Sequence, residues 1–342
     1  RDAVPAAGTL RALASCSIAA YHFASGPRSP TRQMPFFRGL ALSTLMVHTD
    51  IFFVLLTFLA GSGPLLPLAE PANVVRSATA LRCAALLRRL ARTAPTFAVL
   101  LIVDQEPTTV VEYLAKWPYG YEFACLALVH ALLLLGTVAG EVVGLAAIVA
   151  ALAACIEVCR REGPPGSKQW QAVHRDLDTH RLPICLATLL ATRLLYLLPL
   201  LVGTKGEKQA VQGQRSALRS VILTCVAWTI AAMGILTSGA CEWCWTFGPR
   251  SALPGWLYPF PAKLPLIIGC VLLLERSRCT AMNQGQETAA PGLWIGNALE
   301  RYSFPVFLLH PRMRRRAGLM EFCHETPLQG EELPAVIYQM PG

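Results

Sequence analysis

Charge is what this chain has least of. Only 15% of its 342 residues are Asp, Glu, Lys or Arg, with 21 acidic against 30 basic, where an ordinary soluble domain carries roughly one-quarter. So few charges cannot furnish a water-facing surface for a chain of this length, which excludes an ordinary soluble domain. An internal repeat of fixed period is also missing, which excludes a solenoid or array. Metal-ligand spacing is missing too: Cys241-Glu-Trp-Cys244 is the only C-x-x-C among 12 cysteines. It has no second pair to complete a zinc site, so no metal is expected, and a disulfide in a lumenal loop is the other use open to it. Cys125, Cys185, Cys225 and Cys270 fall inside apolar runs, where a thiol behaves as a small hydrophobe. Nor is there a basic face interleaved with aromatic residues. The net charge of +9 is spread over connecting segments at 82–92, 160–181 and 205–219, which reads as loops meeting anionic lipid headgroups and gives no nucleic-acid partner. The chain opens at Arg1 without Met and without the n-region, h-region and cleavage site of a signal peptide. Its first apolar segment is therefore expected to be a retained helix, and the chain a fragment.

What the sequence has in abundance is apolar length. Hydrophobic residues make up 54% of it and its mean hydropathy is +0.45, so most of the chain belongs in lipid. Runs able to cross or nearly cross a bilayer lie at about 8–24, 40–62, 94–104 with an amphipathic lead, 122–158, 182–202, 220–239 and 263–275. A shorter piece runs from Phe304 to His310. As one helix, 122–158 would be about 55 Å long against a hydrocarbon core of roughly 30 Å, which predicts a fold-back near Gly136 to Glu141. The expected fold is all-α, a polytopic transmembrane helical bundle of about seven to nine spans over residues 1–311. Residues 312–342 are polar and read as a disordered tail. The partner is then a lipid bilayer, in the plasma membrane or an endomembrane. Basic loops fall on both sides of the spans, so charge does not fix the orientation.

A few polar groups interrupt this apolar background. Arg11 and His22 lie eleven positions apart on the first run, which on a helix returns to within roughly 20° of one face, about 16 Å along the axis. A cation and an imidazole on one stripe of an apolar helix are costly in a bilayer unless the stripe faces a functional cavity. Asp50 sits in the second run and needs a partner; Arg11 and His22 are the nearest in sequence, and a simple interfacial cap is the alternative. Arg89 and Arg92 share a helix face leading into the third run, fit either for an anion or for plain snorkelling. Arg193 lies near the middle of a run, which points to a lining role. His310 ends the last apolar piece, and His130 and Glu141 mark the fold-back.

Taken in order, these pieces resemble the acyltransferase-3 family of integral membrane proteins. Arg11 to His22 is similar to its first-helix Arg-to-His signature, and Asp50-Ile-Phe-Phe-Val-Leu55 resembles its second-span D-x-F-F-x-L element. Arg89-Leu-Ala-Arg92-Thr-Ala-Pro95 looks like the R-x-x-R-x-x-P that precedes the third span in the animal branch, the nose resistant to fluoxetine-like proteins. Ser303-Phe-Pro-Val-Phe-Leu-Leu-His-Pro311 is similar to that branch's late T-Y-x-x-Y-L-x-H-P segment. The chain departs from the pattern at Leu56-Thr57, where the family has Ser-Gly. It also has no counterpart to the W-Y-L-S segment between Asp104 and Ala131.

The resemblance implies transfer of an acyl group, usually acetyl, from a donor such as acyl-CoA to a hydroxyl of a carbohydrate or lipid. It implies His22 as base or acyl carrier, with Asp50 fixing its tautomer or balancing Arg11. Arg11, Arg89, Arg92 and Arg193 would hold the anionic donor, and His310 would meet the acceptor. The alternatives from other classes are a transporter or lipid- or drug-handling membrane protein, and an inactive fragment of the family.

Overall fold

The computed structural model of the chain describes residues 4–24, 36–62, 74–88, 91, 119–161, 181–202, 213–246 and 261–283. Among the described residues there are helices and no strand. In chain order these are α1 (Pro5–Ala24), α2 (Phe36–Gly61), α3 (Tyr119–Ala139), α4 (Glu141–Arg161), α5 (Arg181–Val202), α6 (Gly213–Thr246), a 3-10 turn (Pro261–Lys263) and α7 (Leu264–Asn283). Residues 74–88 are helical as well.

The long apolar run breaks where its length demands. Gly140 has φ of 97°, a left-handed conformation that costs a side-chain-bearing residue 1–2 kcal/mol or so and glycine almost nothing. One residue in that conformation ends α3 and lets Glu141 begin α4. The two helices touch at glycine on both sides: a Cβ on Gly144 would lie 2.6 Å from the Gly136 Cα.

The chain divides into two compact units. The first gathers α1, α2 as far as Leu55, α6, the 3-10 turn and α7. Within it α6 packs along α7, and α7 packs on α1. The α6–α7 seam is built from small residues. Ala227 and Ala231 are buried with Leu273, and a Cβ on Gly234 or Gly269 would collide with the backbone of Leu266 or Ala231. With no side chain between them the backbones approach closely, which maximises dispersion contact along the seam. The first turn of α1 is tied to α7, where the Ala6 N–H donates to Ser277 Oγ at 2.9 Å.

The second unit gathers α2 from Leu56 onward, the helical residues 74–88, α3, α4 and α5. There α3 packs on α5. In both units polar side chains are buried and large apolar ones exposed. Thr49, Thr137, Thr188 and Thr192 are buried, while Val138 and Val142 are 67% and 62% exposed and Val221 is 60% exposed. Many buried hydroxyls and imidazoles bond within their own helix: Thr137, Thr188 and Thr192 each donate to the carbonyl four residues back, at 2.7–2.8 Å. That arrangement satisfies a polar atom without water or a neighbouring helix.

Two stretches among the described residues, Leu40–Gly61 and Val221–Cys241, are long and apolar enough to cross a membrane. They differ in surroundings, the first being 76% and the second 22% buried within the protein.

Candidate buried charge sites

Among the described residues each unit shows a buried ion pair, and both pairs include a residue that the sequence singles out. In the first unit Asp50, on α2, is 3% exposed, and its Oδ2 accepts from Lys263 Nζ at 2.6 Å. Lys263 closes the 3-10 turn immediately before α7 and is itself 3% exposed. The turn is held to α6 by Ser238 Oγ donating to the Ala262 carbonyl at 3.2 Å. Gly239 lets α6 approach α2 at Thr44, whose Cα would be 2.9 Å from an added Cβ. The lysine is thus delivered by a rigid corner, and its ammonium offsets a carboxylate that would otherwise be stranded among apolar helices. A partner from α1 is what proximity in sequence predicts for Asp50; the structure supplies one 213 residues downstream.

His48 lies two positions before Asp50 and is also buried, and its Nδ1 is 2.8 Å from the Thr44 carbonyl. A carbonyl only accepts, so Nδ1 carries the proton and Nε2 is the basic nitrogen of the neutral ring. The same geometry recurs at His130, whose Nδ1 is 2.9 Å from the Leu126 carbonyl.

In the second unit Arg193 on α5 is fully buried, at 1% exposed the largest such side chain among the described residues. Its Nη2 bonds Glu141 Oε1 at the start of α4, and its Nη1 donates to the Gly61 carbonyl at 3.0 Å. A guanidinium is suited to this because its fork of donors can satisfy a carboxylate and a helix-end carbonyl together. The last turn of α2 is reinforced by Tyr196, whose hydroxyl donates to the Ser62 carbonyl at 3.2 Å. Arg82, half-buried on the helical residues 74–88, feels the same pair. Burial lowers its guanidinium from the ordinary range, the Arg193 charge lowers it further, and Glu141 offsets part of the shift.

The remaining sequence candidates fall as follows. Arg11 is half-buried on α1, and α1 runs unbroken through His22, whose side chain lies outside the described residues. The helix therefore keeps the two about 16 Å apart along its axis. Arg89, Arg92 and His310 lie outside the described residues. Asp50 belongs to the first unit and Arg193 to the second.

Sequence reasoning passed over Lys263 and gave Glu141 only a place in the hairpin. The signal for Lys263 was charge parity. Asp50 is the only acidic residue of the run 40–62, and Lys263 is the only charged residue at the head of the last long run. A lone acid and a lone base in two apolar segments are natural partners.

No family model matches the chain, and no curated protein or solved structure matches it.

Proposed function

We propose that this chain is a multi-pass membrane O-acyltransferase of the acyltransferase-3 type, carrying its donor-binding cation and its reactive imidazole on α1. The observation that supports this reading most is the unbroken helix Pro5–Ala24, which holds Arg11 and His22 on one stripe about 16 Å apart. A side chain of roughly 7 Å cannot close that gap, so the two are not a dyad. A long anionic donor laid along the stripe uses both, with phosphates at Arg11 and the thioester near His22. The His22 imidazole takes the proton of the acceptor hydroxyl as its oxygen attacks the thioester carbonyl. The carbon–sulfur bond then breaks, and the coenzyme A thiolate leaves and is reprotonated. Asp50 is held with Lys263 as a neutral pair and in this reading ties α2 to the turn before α7 rather than accepting the proton. The span count of seven to nine and a location in the plasma membrane or an endomembrane belong to the same reading.

Acyl transfer by the purified protein from radiolabelled acetyl-CoA to a hydroxyl acceptor tests it. His22→Ala should lower kcat about a hundredfold or more, the usual worth of a positioned base. Arg11→Ala should chiefly raise the donor KM. Full transfer by His22→Ala would show the assignment to be wrong.

A second reading, a transporter, is favoured by one specific observation. Both buried charge pairs, Asp50–Lys263 and Arg193–Glu141, join different elements of a helical bundle, and groups of this kind line substrate pathways in transporters. Substrate flux into proteoliposomes without donor turnover would support that reading over the first.

A further inference from the structure

We propose that the helical residues 74–88 form a docking surface for anionic lipid, lying at the headgroup level of the membrane that the apolar helices cross; the inference rests on the membrane reading above. One side of this helix is turned inward, with Val75, Thr79 and Arg82 half-buried. The opposite side is open. Leu81 and Leu87 are 66% and 64% exposed, and Ala80 and Cys83 are exposed between them. At 100° per residue Ala80, Cys83 and Leu87 fall on one stripe with Arg76, while Leu81 and Arg88 lie about 110–130° further round, on the other half of an exposed arc that also carries Ser77 and Ala85. The exposed side is thus a broad, mainly apolar arc with an exposed arginine near each end of the helix, Arg76 in the first turn and Arg88 in the last, about 18 Å apart along the axis.

Water alone does not suit such a face. The leucines gain by entering the headgroup and acyl boundary, and the guanidiniums gain by pairing with lipid phosphates and carboxylates at its outer edge. Charge complementarity selects the lipid. No acidic residue occurs from 74 to 103 while five arginines do, and the chain as a whole carries +9, so an anionic leaflet is favoured over a zwitterionic one.

Cys83 sits on the open face and Cys225 on the exposed face of the apolar stretch Val221–Cys241, so the native chain carries both a reporter and a control. The full-length protein is placed in nanodiscs of phosphatidylcholine alone, or with about one-third phosphatidylserine. Alkylation by a water-soluble maleimide is then followed at each cysteine by peptide mass spectrometry, relative to the protein in SDS. Cys225 should be protected in both lipids. Cys83 should react about fivefold or more slowly with phosphatidylserine than without it, and Arg76→Gln/Arg88→Gln should remove the difference while leaving Cys225 protected.

Equal Cys83 rates in the two lipids, fast or slow, would overturn the lipid surface; slow rates in both mean that the face is covered by protein, a second copy included. Reaction of Cys225 as fast as in SDS would overturn the membrane reading itself, so the two failures are told apart. A lipid difference that persists in the double arginine variant would also overturn the proposal, because the cations would then not be its cause.

Discussion

Asp50 and Lys263 show how little a single charge means until its partner is known. Alone in an apolar helix, Asp50 reads as catalytic; bonded to Lys263 at 2.6 Å, with both side chains almost fully buried, it is half of a neutral pair. Breaking such a pair strands a charge and costs about 3–5 kcal/mol, whereas replacing both members by apolar residues of similar size is often neutral or better. Asp50→Leu and Lys263→Met are each expected to lower the unfolding midpoint in detergent strongly, and the double variant to regain most of the loss. Additive losses in the double variant would mean that the two charges do not stabilise each other. The sequence made Asp50 and Arg193 legible because each is a charge standing alone in an apolar stretch. Their partners lie 213 and 52 residues away; charge parity marks Lys263 as a lone base, but which charges meet depends on which helices are neighbours, and the sequence does not show that.

At the scale of the elements, length and glycine were enough for α3 and α4. A run too long for the bilayer must break, and Gly140 at φ 97° is where it does. The α6–α7 packing was harder to foresee, since apolar runs do not announce which of them lie side by side. Its trace in the sequence is a ladder of small residues, Ala227, Ala231, Gly234 and Ser238, spaced so that all four share one face of α6. The two kinds of glycine should respond differently to substitution. Gly140→Ala meets no neighbouring atom and strains only the backbone, so a loss of about 1–2 kcal/mol is expected. At Gly234 an added methyl collides with the Leu266 backbone, which cannot swing aside. Gly234→Ala should therefore cost more than Gly140→Ala, and Gly234→Leu should separate the helices altogether. Thermal unfolding of the three variants in one detergent ranks them; equal midpoints for Gly140→Ala and Gly234→Leu would contradict the close approach.

For the molecule as a whole, the question is what solvent its exposed apolar side chains meet. On α6, Trp228, Met233 and Leu236 are 45%, 54% and 53% exposed within a stretch only 22% buried. In water an exposed methionine is nearly indifferent to replacement, and Met233→Arg would fall within about 0.5 kcal/mol of wild type. At the centre of a membrane-spanning helix the same change costs about 2.5–3.5 kcal/mol, because the guanidinium has to be drawn through hydrocarbon or snorkel to its edge. The substitution therefore reports the solvent directly, without any assumption about activity. Expressed in membranes, Met233→Arg should lose much of its carbonate-resistant fraction, while Met233→Leu, which keeps the surface apolar, should match wild type. Ala231→Leu provides the internal contrast. It faces the α7 backbone and should damage packing in either solvent, so its loss says nothing about lipid, whereas a harmless Met233→Arg would mean that the open face of α6 meets water and that the bilayer reading of this helix has to be abandoned.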